Sequence, residues 1–191
     1  MIPDQLSEQE RSILLAIARQ ALESSVKDHK LPQLDYETIP PRLKEKGASF
    51  VTLTIHHELR GCIGALEAYQ PLADDVQEHA MAAALQDYRF PPVQPGELPH
   101  IQIEISRLTP PKPFPYDKPI DLINGLRPGI DGVILRHAGR RATFLPQVWE
   151  KIPDPAQFLS QLCLKMGSSP DLWQHTKLEV QTYQVEEFHE K

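Results

Sequence analysis

The chain has 191 residues, 40% hydrophobic and 24% charged, a globular balance that excludes wholesale disorder and suits one domain or two small halves sharing a core. A formal net charge of −6 argues against a dedicated nucleic-acid binder, whose affinity rests on neutralising phosphates, although a local arginine cluster can still hold a small anion. No stretch reaches the roughly 20 apolar residues of a membrane span, the opening "MIPDQLSEQE" lacks an apolar leader core, and two cysteines are too few for a disulfide framework; the expectation is a cytoplasmic protein with Cys62 and Cys163 reduced.

In chain order, "SEQERSILLAIARQALESSVKDH" predicts a helix over about 7–28. Ser7 and Glu10 form a capping-box pattern, and Ile13, Leu14, Ile17, Ala18, Ala21 and Leu22 make an apolar stripe at helical spacing. "KLPQLDYETIPPRLKEKG" carries three prolines and no sustained period, and reads as a wrapping connection. "ASFVTLTIHHELRGCIGAL" predicts strand, turn, strand; "PLADDVQEHAMAAALQD" a helix; and "IQIEISRL" an alternating strand.

The second half repeats that order. "GVILRHAGRRATFLP" is again strand, turn, strand, "DPAQFLSQLCLKMG" a helix closed by Gly167, and "KLEVQTYQVEEF" an alternating strand. Six prolines in "LTPPKPFPYDKPIDLINGLRPG" predict an extended crossover between the two. Side-chain identity between the halves is poor, so a duplication rests on element order alone.

The "LRGCIG" stretch carries the most chemistry. In a regular strand Arg60, Cys62 and Gly64 share one face, and Leu59, Gly61 and Ile63 face the core. A guanidinium beside a thiol favours its ionised, nucleophilic form, and Gly61 and Gly64 leave room for a ligand or another backbone. The alternative for Cys62 is a buried small apolar residue, which is the reading for Cys163 between two leucines. A two-residue turn at His56-His57 places Cys62 opposite Val51, and a bulge places it opposite Thr52; His-His is poor chemistry for a turn that demands positive φ twice.

Further along, Asp87 and Arg89 precede Phe90-Pro91-Pro92 and form either a local pair fixing the helix exit or charges presented to a cleft. Glu104, between Ile103 and Ile105, points away from the core. "HHE" at 56–58 lacks a second ligand group at familiar spacing, so no metal is predicted. "RHAGRR" at 136–141 is a basic hairpin tip, read as a solvated turn with an anion or nucleic-acid contact as the alternative.

Taken together, "FVTLTIHHELRGCIGAL", "AMAAALQDYRFPPVQPGELPHIQIEIS", "RPGIDGVIL", "ATFLPQVW" and "LSQLCLKMG" resemble the AMMECR domain family over roughly Ser7 to Phe188. The match covers Leu59 to Gly64 in the signature, Asp87, Arg89 and Phe90 in a second motif, Glu104 in the next strand, and Pro146 and Lys165 in the C-terminal half. His56-His57 departs from the Asn-Gly or Asp-Gly turn common in the family. The resemblance implies a single α+β domain over 1–191, with two related hairpin–helix–strand halves (about 48–108 and 130–188) around a shared, barrel-like, mainly antiparallel sheet and an N-terminal helix. It implies a functional link to Memo-like and radical-SAM proteins, but no reaction, and the cofactor is unknown.

The expected site is therefore a cleft around Arg60 and Cys62. As an enzyme or enzyme component acting on a small anionic or modified-protein substrate, the chain would use Arg60 to hold negative charge and Cys62 as nucleophile. Asp87 or Glu104 would be the acid–base partner, and Gly61, Gly64, Arg89 and Lys165 would contact the ligand. The rival is a non-catalytic module that docks a partner protein on the same surface.

Overall fold

The computed structural model describes residues 5–28 and 30–190. The leader-free reading of the first four residues, and His29 at the end of the predicted helix, lie outside that set. The chain divides into two compact units: Met1–Thr109 with Glu186–Lys191, and Pro110–Val185.

The first unit opens with α1 (Glu8–Asp28). The predicted capping box forms: the Glu10 N–H donates to Ser7 Oγ at 3.2 Å, and the Ser7 N–H donates back to Glu10 Oε2 at 2.8 Å. The stripe Leu14, Ile17, Ala18, Ala21 and Leu22 is buried and packs on α2 (Leu72–Leu85), which lies on the sheet. The strands are β1 (Lys46–Ile55), β2 (Glu58–Gly64), β3 (Gln70–Pro71) and β4 (Ile101–Leu108), with β9 (Val185–His189) returning late in sequence. Their order is β2-β1-β4-β9, with β3 paired to the start of β1. Val51, Leu53, Ile103 and Ile105 alternate onto the helix side and are wholly buried. Glu186 on β9 is 1% exposed and accepts from the Leu6 N–H at 3.0 Å and from Arg107 at 3.2 Å, which ties β9 to its own sheet.

The second unit carries β5 (Lys112–Pro113), α3 (Pro119–Gly125), β6 (Gly132–His137), β7 (Arg140–Phe144), α4 (Pro155–Lys165), α5 (Leu172–His175) and β8 (Glu179–Tyr183). Its sheet runs β5-β8-β6-β7, antiparallel throughout. Its core holds Val133, Leu135, Trp149, Phe158, Leu159 and Leu162, with the Trp149 and Phe158 rings stacked at 3.6 Å.

Two expectations need correction. The strands form two separate open sheets, not one shared barrel. "KLEVQTYQVEEF" is not one strand: the chain leaves one sheet after Tyr183 and joins the other at Val185. A period of two persists through such a crossing, so alternation cannot reveal it. The proline-rich crossover also contains α3, which starts at Pro119, a position where the missing N–H costs nothing. Element order does repeat. In each unit the first hairpin strand lies between its hairpin partner and the strand after the helix (β2-β1-β4 and β7-β6-β8).

Candidate functional site

The β1–β2 turn is the two-residue His56-His57 connection, and both residues take positive φ, 52° and 67°. The tight turn forms despite its chemistry because the flanking ladder dictates the twist. One step on, Leu59 pairs with Thr54 and Gly61 with Leu53, which leaves Arg60 as the extra residue of a β-bulge. From there the register runs Cys62 opposite Thr52 and Gly64 opposite Phe50.

The bulge breaks the simple alternation. Leu59 leaves the core side and is 44% exposed, while Gly61 and Ile63 keep it. Arg60 swings to the 3-10 turn at Pro95–His100, where its guanidinium grips Glu97 with two bonds of 2.7 and 3.1 Å. That contact holds the Glu97 carboxyl below its usual range, and Glu97 also caps the Gln94 N–H at 2.7 Å. Arg60 is thus committed to a carboxylate, and the cation at Cys62 is a different one.

That cation is Arg89. At Cys62 the edge strand β2 turns its N–H and C=O outward, away from β1. Asp87 Oδ2 accepts the Cys62 N–H at 2.9 Å, and Arg89 Nη2 donates to the Cys62 carbonyl at 3.1 Å. Asp87 and Arg89 are joined to each other at 2.9 and 2.7 Å, and Asp87 also takes the Arg89 N–H at 3.1 Å. The pair satisfies an edge that would otherwise present unpaired groups. Asp87 is 4% exposed, and its bond to Arg89 first, then those from the two backbone N–H groups, hold its carboxyl far below the usual range. It is an ionised anchor at neutral pH, not a proton carrier.

The two glycines are filled by protein. A side chain on Gly61 would run into the carbonyl oxygen of Ala83 on α2, and one on Gly64 into the Phe50 ring and the Ser49 carbonyl. They permit close approach of a helix and an aromatic ring.

What remains open to chemistry is a row across three strands. The Thr52 hydroxyl donates to Cys62 Sγ at 3.3 Å, and Glu104 lies directly opposite Thr52 on the other side. All three are half-buried on the sheet face away from α2. Glu104 faces away from Ile103 and Ile105, as its alternation predicts. Tyr88, between the two anchoring charges, is 95% exposed, a feature the sequence reading missed. Lys165 sits in the second unit, where it donates to the Thr143 carbonyl at 2.9 Å and lies 5.0 Å from the Phe144 ring centre. Cys163 is wholly buried in that unit's core, and burial pushes its thiol up. Both cysteines are free. Among the described residues no three His, Cys, Asp or Glu side chains converge as a metal would require, and no helix is long and apolar enough to cross a membrane.

The AMMECR1 family model matches residues 15–188. A protein of Thermofilum pendens is 38% identical over 96% of this chain and 91% of its own length. One of Methanothermobacter thermautotrophicus is 38% identical over 97% and 96%. The crystal structure of the uncharacterized protein PH0010 from Pyrococcus horikoshii, 32% identical, superposes with a TM-score of 0.78 over 97% of this chain and 94% of that one. None of these names states an activity. With a family match over most of its length and relatives aligned nearly end to end, the chain belongs to the AMMECR1 family.

Proposed function

We propose that Cys62 is the reactive thiol of a site that acts on a modified protein. The observation that carries this reading is the row Cys62–Thr52–Glu104, a thiol, a hydroxyl and a carboxylate aligned across one half-buried sheet face. Cys62 Sγ attacks an acyl carbon carried by the substrate and forms a thioester as the bond from that carbon to the substrate's oxygen or nitrogen breaks; the thiol proton passes by way of a bridging water to the Glu104 carboxylate, which returns it to the departing oxygen or nitrogen. Asp87 and Arg89 position the strand through the Cys62 backbone. A free small anion fits less well, because Arg60 and Arg89 each already hold a carboxylate. Exposed Tyr88 and Leu59 beside the row offer the apolar contact that a protein-borne substrate needs.

A second reading, docking without chemistry, is favoured by that same Tyr88, which stands nearly free of the fold. Iodoacetamide labelling of native protein, followed by intact mass, separates the two. If Glu104 is the base, Glu104→Gln slows labelling of Cys62 at neutral pH severalfold. If Glu104 is only a nearby negative charge, its removal favours the thiolate and labelling speeds up. Faster or unchanged labelling removes the acid–base role and leaves docking as the function of this face.

A further inference from the structure

The β1–β2 turn carries chemistry that neither the fold nor the Cys62 row uses. His56 and His57 are exposed and fill both central positions of a turn that demands positive φ twice. The matching turn of the second hairpin, Ala138-Gly139, has a glycine at its second position, where that backbone carries no steric penalty. Imidazoles are tolerated at such positions but are not what the turn asks for.

The sequence near this turn offers no second ligand group at familiar spacing, and the tertiary structure brings one from a distant part of the chain. At the end of the β1–β4 ladder Ile55 pairs with Ile101, so His56 and His100 are the next facing positions. Their ring centres lie 6.2 Å apart, with the planes tilted by 32°. Two imidazoles bound to one zinc through nitrogens at about 2.0–2.1 Å, at a tetrahedral angle, have ring centres about 5 Å apart. Both rings are exposed, and among the described residues neither is hydrogen-bonded or ion-paired to the protein. Rotation about their side-chain bonds covers the difference. No lysine or arginine stands at His56 to Leu59 to repel a cation, and Arg60 is already bonded to Glu97.

Two rings fill half of a four-coordinate shell. Among the described residues no third His, Cys, Asp or Glu of the chain joins them. We propose that His56 and His100 are one half of a zinc site that a second copy of the chain completes. A two-fold axis through the metal gives each copy the same two bonds, so four imidazoles close the tetrahedron. His56, His57, Glu58 and His100 are all exposed, which leaves the tip open to another molecule. Each copy carries a net charge of −6, so contact without the metal is opposed and association depends on zinc. This site is independent of the Cys62 reading.

The test is sedimentation velocity of the untagged full chain, stripped with EDTA, desalted and titrated with zinc chloride. The mass should double, with the change complete at one zinc per two chains and reversed by EDTA. His56→Asn removes a ligand and suits positive φ, so it keeps the turn. That variant and His100→Gln should each raise the zinc concentration at half-conversion at least about tenfold. His175→Gln, at an exposed histidine of the second unit, should leave it unchanged, as should Cys62→Ser, which rules out zinc held by the thiol. Zinc-free melting of each variant checks its fold, and His56→Asn carries the test if His100→Gln fails to fold. A mass that stays constant through the titration overturns the proposal, whether or not zinc binds. So does a doubling that needs one zinc or more per chain, that survives in His56→Asn, or that is lost in Cys62→Ser.

Discussion

The two hairpins share a plan and differ in what they carry. Counted from their turns, Thr143, Ile134 and Gln181 in the second unit occupy the ladder places of Cys62, Thr52 and Glu104 in the first. In the second unit the row is closed: Ile134 is buried, and the Thr143 hydroxyl is taken up by the buried Tyr183 phenol at 3.1 Å. In the first unit the same row holds a thiol and a carboxylate. The tips reverse the contrast, with three arginines on Arg136 to Arg141 and no arginine or lysine at His56 to Leu59. Strand order supplies places, and the residues set in them decide the chemistry. The Arg60 bulge adds a further difference, since it has no counterpart in the β6–β7 ladder.

The comparison is tested most severely at Gly61. Its methyl would meet the backbone of Ala83, which cannot yield cheaply, so Gly61→Ala should cost about 3 kcal/mol or more in denaturant unfolding. At the matching place, Ala142→Gly should cost only about 1–2 kcal/mol. Equal costs would mean that helix α2 does not press on β2 as described.

Next comes the edge anchor. Asp87→Asn should lose about 2 kcal/mol, less than a fully buried pair because Arg89 is half exposed. The folded-state value of Asp87 lies below its unfolded one, so its contribution is complete above about pH 4 and fades as the pH falls through the folded value. The wild type should therefore lose more stability on acidification than Asp87→Asn does. Parallel acid limbs in pH-dependent melting would show that Asp87 is not held as the geometry indicates.

The thiols supply the third contrast. Cys62 is half-buried at the sheet face, whereas Cys163 is wholly buried and reachable only through opening of its unit. Labelling should favour Cys62 by about tenfold or more at neutral pH. Arg60→Gln should leave that rate unchanged because its charge is committed to Glu97, while costing about 1 kcal/mol of stability. A marked slowing in Arg60→Gln would place its guanidinium at the thiol after all. The smallest effect belongs to Thr52→Val, about 0.5 kcal/mol for one half-exposed hydroxyl–thiol bond.

Local patterns made a good part of this legible. The capping box at Ser7 and Glu10, the stripe of α1, both hairpins and the outward turn of Glu104 follow from periods of 3.6 and 2 and from side-chain chemistry near in sequence. The pairing of Asp87 with Arg89 was also readable, as one of two alternatives, because the partners are two residues apart.

Other features depended on partners far along the chain. Where Arg60 points was decided by one inserted residue, since a period of two cannot show where a bulge falls, and by Glu97 waiting 37 positions away. Why residues 61 and 64 are glycine was decided by Ala83 and Phe50, whose approach is a matter of packing. The division of the strands into two open sheets, with the chain crossing between Tyr183 and Val185, was likewise settled by non-local pairing, because alternation records which face of a sheet a residue takes but not which sheet.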